Sequence, residues 1–62
     1  MKSMAKPGTP AEYAAAFKKA IAGGDDLEKL NQANHIALDR GLITMEHFQA
    51  AAKVLAVEIL KR

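Results

Sequence analysis

The sequence contains no cysteine and no tryptophan, and its only aromatic residues are one tyrosine and two phenylalanines. Without cysteine the chain has no disulfide, no thiolate zinc site and no cysteine nucleophile. It also lacks GxSxG and HExxH motifs and a glycine-rich phosphate-binding loop. A chain of 62 residues leaves little room for a cleft that perturbs the pKa of a catalytic group. We therefore predict a protein that is not an enzyme and has no catalytic residue, cofactor or metal site.

Long apolar runs and strong charge are absent too. No run approaches the ~20 apolar residues of a membrane span, and residues 1–10 lack the apolar segment of a secretory signal. A net charge of +2 with a pI near 9.2 is mildly basic. We expect a cytoplasmic protein with no membrane partner. Because a chain this short buries only ~60% of its unfolded surface, self-association is a common source of added stability.

Helix-capping signals predict three helices. Thr9, followed by Pro10 and by Glu12, is a capping box with proline at the first helical position. Asp25 and Glu28 have the spacing of a second capping box. The predicted elements are a disordered basic arm over 1–8 and one helical domain over 9–62, with helices at about 10–22, 26–40 and 45–61.

Glycines end the first two predicted helices. In Gly23–Gly24 the first glycine caps the helix and the second gives a flexible joint, whereas Gly41 supplies a positive φ. Thr44 then caps the third helix, so the short link closes an antiparallel helical hairpin. The predicted fold class is all-α, either a small three-helix bundle or a helical hairpin that self-associates.

Each predicted helix has an apolar side with helical spacing. The inner side of the second helix is interrupted at Asn34. In the third helix Lys53 and Glu58 are the only charges between Gln49 and Leu60. The predicted core residues are Tyr13, Phe17 and Ile21 in the first helix, Leu27, Leu30, Ala37 and Leu38 in the second, and Phe48, Ala51, Ala52, Leu55 and Ile59 in the third.

A helix that is apolar nearly all round needs cover on more than one side. We therefore expect the protein to act by binding protein, most simply a second copy of itself in a dimer and otherwise another protein. The predicted interface residues are Met45, Ala50, Val54, Val57 and Leu60. In the alternative interpretation the apolar residues of this face complete the core of a single chain.

Polar residues around the predicted hairpin suggest a metal site as an alternative. His35 and Asp39 are one helical turn apart, and the hairpin brings Glu46 and His47 towards them. Imidazoles and carboxylates are ligands for zinc or nickel. No known metal-binding spacing supports such a site, so the simpler interpretation is a solvated polar turn.

Nucleic-acid binding is the alternative function. Ala37, Gly41 and Leu42 have the relative positions of a helix-turn-helix motif. However, Lys53 is the only firm positive charge among the residues expected to point outward from the third helix, which include His47. Phosphate contacts require Lys or Arg, so nucleic acid is a disfavoured partner. The candidate contacts are Lys2, Lys6, Gln49 and Lys53.

The segment Gly41 to Phe48 (GLITMEHF), with Leu55 seven residues later, resembles the G-[IL]-I-T-x-E-x-F…L core of the short C-terminal domain (SHOCT) family. The chain departs from that family at Asn31, Asn34 and Ala37, where the family has leucines. The resemblance implies a helical hairpin used for oligomerisation or protein contacts.

Overall fold

The computed structural model describes residues 8–61, which form three helices: α1 (Pro10–Ala22), α2 (Leu27–Asp39) and α3 (Met45–Leu60). No strand occurs in this range. The all-α three-helix fold predicted from the sequence is thus confirmed. Helix α2 begins one residue later and ends one residue earlier than predicted, and α3 ends one residue earlier. Within residues 8–61, no helix has both the length and the apolar character needed to cross a bilayer.

The helix starts follow the predicted capping chemistry with one correction. The Thr9 hydroxyl accepts a hydrogen bond from the Glu12 amide at 3.1 Å, and the Glu12 carboxylate accepts one from the Thr9 amide at 2.9 Å. The N-cap of α2 is Asp26 rather than Asp25, and its carboxylate accepts from the Glu28 amide at 3.0 Å. Asp25 still belongs to the end of α1, because its amide donates to a carbonyl of that helix.

Schellman motifs end α1 and α2. Gly41 has a φ of 74°, its amide donates to the Leu38 carbonyl, and the Leu42 amide donates to the Ala37 carbonyl. Gly24 has a φ of 95° in the equivalent position after α1. The predicted flexible joint is therefore wrong: Gly24 is held in a defined, hydrogen-bonded turn.

Helix α3 is the central element, because it packs extensively against both α1 and α2 while those two make few contacts with each other. Ala51 of α3 is completely buried, and Leu55 is almost so. The hydrophobic core consists of Phe17, Leu27, Ala51 and Leu55, with Tyr13, Ile21, Leu30 and Val54 packed against it.

Ile59 does not belong to the core, contrary to the sequence prediction, since its exposed fraction is 56%. At about 100° per residue, Ile59 lies about 80° from Ala51 around the helix. The buried side of α3 is instead centred on Ala51 and includes His47 and Leu55. The predicted stripe through Phe48 and Ile59 was therefore rotated relative to the face that is buried.

Replacing Gly41 by alanine tests the second Schellman motif. An added Cβ at Gly41 meets no atom within 4 Å, so the loss comes from the positive φ alone and should be about 1–2 kcal/mol. Gly23→Ala is the matched control, because Gly23 has a φ of −81° and an added Cβ meets only ordinary contacts at 3.5 Å. Urea denaturation should show a lower midpoint for Gly41→Ala only. Equal midpoints for Gly41→Ala and the wild type would contradict this account.

Candidate interaction site on helix α3

A hydrogen-bonded amide lies at the junction of the three helices. Asn34 of α2 is completely buried. Its Oδ1 accepts a hydrogen bond from the Tyr13 hydroxyl of α1 at 2.8 Å, and its Nδ2 donates to the Phe48 carbonyl of α3 at 3.2 Å. Burial without these partners would be costly. Asn34 therefore does not interrupt the inner side of α2 but is the centre of it.

His47 is also an interior residue, contrary to the prediction that it points outward, and its exposed fraction is 9%. Its Nε2 lies 2.6 Å from the Gly8 carbonyl, which can only accept, so Nε2 carries the hydrogen. Its Nδ1 accepts from the Thr44 amide at 3.4 Å and lies 2.7 Å from the Thr44 hydroxyl. The ring also packs edge-on against Tyr13, with centroids 5.6 Å apart. His47 thus caps α3 from within the fold.

Gly8 belongs to the folded domain because its carbonyl is bonded to His47. The predicted arm over 1–8 therefore extends one residue too far. The rest of that arm, including the predicted nucleic-acid contacts Lys2 and Lys6, lies outside the described residues.

The residues considered as metal ligands do not assemble into a site. Across residues 8–61 there is no cluster of three or more His, Asp or Glu side chains able to hold an ion. His35 instead packs its ring against Phe48, with centroids 4.9 Å apart. His47 is engaged by Gly8 and Thr44.

The five predicted interface residues do not share one face of α3. Met45 and Val54 are nine residues apart, which at about 100° per residue places them on opposite sides of the helix. Val54 packs against the core, while Met45 is 53% exposed. Met45 and Leu60 therefore belong to one surface, and Ala50, Val54 and Val57 belong to another.

The first surface is a charge-free strip on the solvent side of α3. From Met45 to Ile59 its residues follow one another at spacings of four, three, four and three, which keeps them on one side of a helix, and Leu60 adjoins Ile59. The large side chains lie at its two ends: Met45 is 53% exposed, Ile59 56% and Leu60 85%. The middle holds alanines. We call this surface the outer strip: Met45, Gln49, Ala52, Ala56, Ile59 and Leu60.

The second surface is a groove on the α1 side of α3, with a volume of about 360 Å³. It continues past Lys53 and Val54 into a neighbouring hollow lined by Glu46, Gln49 and Ala50. Within the described residues the groove contains one ion pair, between Lys61 Nζ and the Glu58 carboxylate, at 3.5 Å. We call this surface the α1–α3 groove: Lys18, Ala50, Lys53, Val54, Val57, Glu58 and Lys61.

The candidate nucleic-acid contacts in the described part of the chain are divided between the two surfaces. Gln49 lies on the outer strip and Lys53 borders the groove. The outer strip offers phosphate no positive charge, so Gln49 and Lys53 do not form one phosphate-binding surface.

Comparison with protein-family models, curated proteins and solved structures gives no match for this chain. The resemblance of Gly41 to Leu55 to the short C-terminal domain family thus stays a prediction. So does the absence of enzymatic activity.

Sequence reasoning missed the roles of Asn34 and His47. For His47 a signal was available, because it stands three residues after Thr44, where a capping box normally has Glu or Gln. Asn34 gave a weaker signal, since its partner Tyr13 is 21 residues away in the sequence.

A double-mutant cycle tests the hydrogen bond between Tyr13 and Asn34. Tyr13→Phe should lower the free energy of unfolding by about 1–3 kcal/mol, because it leaves the buried side-chain oxygen of Asn34, Oδ1, without its hydrogen-bond donor. In an Asn34→Ala background the same change should cost less, with a coupling of about 0.5–3 kcal/mol. Urea denaturation of the four proteins measures the coupling. Strictly additive costs would contradict a direct bond.

The Tyr13 hydroxyl should ionise at a higher pH in the folded protein than in the unfolded chain. Burial raises the pKa of Tyr13 above its ordinary 10.0. The resulting stabilisation is present below the unfolded-state pKa and is lost as the pH rises through the folded-state pKa. Because the chain has a single tyrosine, tyrosinate absorbance reports this residue alone. The pH at the midpoint of this titration should be higher in the folded protein than in urea. Equal midpoints would contradict the burial of the Tyr13 hydroxyl.

Proposed function

We propose that this protein is a non-enzymatic interaction module that forms a homodimer through the outer strip of α3. The observation that carries the proposal is the exposure of Met45, Ile59 and Leu60, each more than half accessible, on a strip without charge. The side of α3 through Ala51 and Leu55 is already covered by α1 and α2. A second polypeptide is therefore the available cover for this strip.

The strip is self-complementary, which favours a second copy as that polypeptide. Ala52 lies midway between Met45 and Ile59, seven residues from each. In an antiparallel pair with its two-fold axis at Ala52, Met45 would pack against the partner's Ile59 at both ends, as an isologous interface requires. The alanines near the axis would allow close approach, at about 8 Å between helix axes.

The expected affinity is modest. Three large apolar side chains from each copy are few for a dimer interface, and their burial must offset the freedom of motion that is lost on association. We therefore expect a weak dimer whose population depends on protein concentration.

Sedimentation equilibrium tests the interface with a matched pair of variants. Ile59→Lys should give a folded monomer, because Ile59 is 56% exposed and lies outside the core. Ile36→Lys is the control, since Ile36 is similarly exposed, at 51%, on the side of α2 that faces away from Asn34. It should dimerise like the wild type.

Two results would contradict the interface. One is a wild-type protein that stays monomeric up to millimolar concentration. The other is an equal loss of dimer in Ile59→Lys and Ile36→Lys, since that would separate self-association from the outer strip.

Cysteine cross-linking tests the antiparallel arrangement, and the absence of native cysteine makes single replacements unambiguous. Ala52→Cys should form a disulfide-linked dimer under mild oxidation, because the two sulfurs meet at the axis. Met45→Cys should not, because its copies would lie about 20 Å apart. A parallel pair would link at both positions, so efficient cross-linking of Met45→Cys would contradict the arrangement.

A further inference from the structure

We propose that the α1–α3 groove is a second binding site, which takes an acidic amphipathic helix from another protein. This site does not depend on the outer strip. Val54 in the groove and Met45 in the strip point in opposite directions from α3, so the two surfaces have different centres.

The floor of the groove has the pattern of a helix-binding surface. Ala50, Val54 and Val57 follow one another at spacings of four and three along α3, which matches the apolar stripe of an incoming helix. Val57 is 51% exposed, and Ala50 and Val54 are half-buried. The floor is thus accessible but lies below the longer side chains around it.

Lysines from two helices flank that floor. Lys18 comes from α1, whereas Lys53 and Lys61 come from α3 or its C-cap. Among residues 8–61, Lys61 pairs with Glu58, and neither Lys18 nor Lys53 has a carboxylate within ion-pair distance. A helix lying on Val54 and Val57 would therefore meet ammonium groups from both sides.

The charge around the groove selects the occupant. Three lysines against Glu58, and against Glu46 in the hollow that holds Ala50, give this surface a net charge of 3 − 2 = +1. An occupant with leucine or isoleucine at helical spacing and glutamates beside them would pair with Lys18 and Lys53 while filling the apolar floor.

A second copy of this chain fits the groove poorly. Its most exposed apolar helix, α3, would bring its own Lys53 towards the lysines of the groove. Helix α2 presents only one large exposed apolar residue, Ile36. No helix of the described chain combines an apolar stripe with flanking carboxylates, so we assign the site to a different protein.

The experiment uses a synthetic amphipathic helix of about four turns, with leucines at spacings of four and three and glutamates on both flanks. It is titrated into isotope-labelled protein and followed by NMR. We expect saturable shifts of the Val54 and Val57 methyl groups. A peptide with lysine in place of every glutamate should bind at least about tenfold more weakly, and added salt should weaken the glutamate peptide.

Variants localise the binding. Val57→Asp should lower the affinity at least about tenfold, and its fold should persist because Val57 is half-exposed. Lys18→Glu should weaken the glutamate peptide and strengthen the lysine peptide. Ile59→Lys, on the outer strip, should bind the glutamate peptide like the wild type. If Ile59→Lys abolished dimerisation but kept peptide binding, the two surfaces would be shown to act separately.

Several results would overturn this proposal. These are no shift at millimolar peptide, equal binding of the two peptides, or shifts confined to the outer strip. Shifts of Val54 and Val57 that depend on protein concentration without peptide would also overturn it, since a second copy would then fill the groove. The first two of these results leave dimerisation through the outer strip untouched.

Discussion

The arrangement of the three helices depends on the buried amide of Asn34. Among the described residues, this side chain of α2 is the one that accepts a hydrogen bond from α1 and donates a hydrogen bond to α3. Because α1 and α2 otherwise meet mainly through α3, these two hydrogen bonds define how the first two helices sit on the third. Apolar contacts alone would tolerate a rotation of α3. A rotation that broke the hydrogen bonds of Asn34, however, would leave a buried amide without partners, which is costly.

The fixed rotation of α3 decides which of its residues face solvent. With Phe48 bonded to Asn34 and His47 bonded to Gly8, the side through Ala51 and Leu55 becomes the core. Met45, Ile59 and Leu60 are left outside. The outer strip and the α1–α3 groove are thus consequences of the same polar contacts, and a small domain with few core residues can still present two defined surfaces.

The local structure was largely predictable from the sequence, because its signals are local. Thr9, Gly41 and Thr44 each act within a few residues, and each has the predicted role. The error at Asp25 arose because two adjacent aspartates compete for one cap. Neighbouring structure decided between them, since the amide of Asp25 is used by α1.

The rotation of α3 could not be predicted in the same way, whereas the division of the predicted interface follows from the nine residues between Met45 and Val54 and was missed. An asparagine on an apolar side looks like an interruption until its partner Tyr13 is known, and that partner comes from another helix. Apolar spacing showed that α3 has more apolar residues than one face can hold. It did not show that Met45 and Val54 lie on opposite sides of the covered face.

Dimerisation through the outer strip can be followed residue by residue with methyl NMR of the wild-type protein, diluted from millimolar to micromolar concentration. If a second copy covers the strip, the methyl groups of Met45, Ile59 and Leu60 should show concentration-dependent shifts, and those of Leu55 in the core should show none. Shifts that stay constant at all three residues across the whole dilution would contradict it.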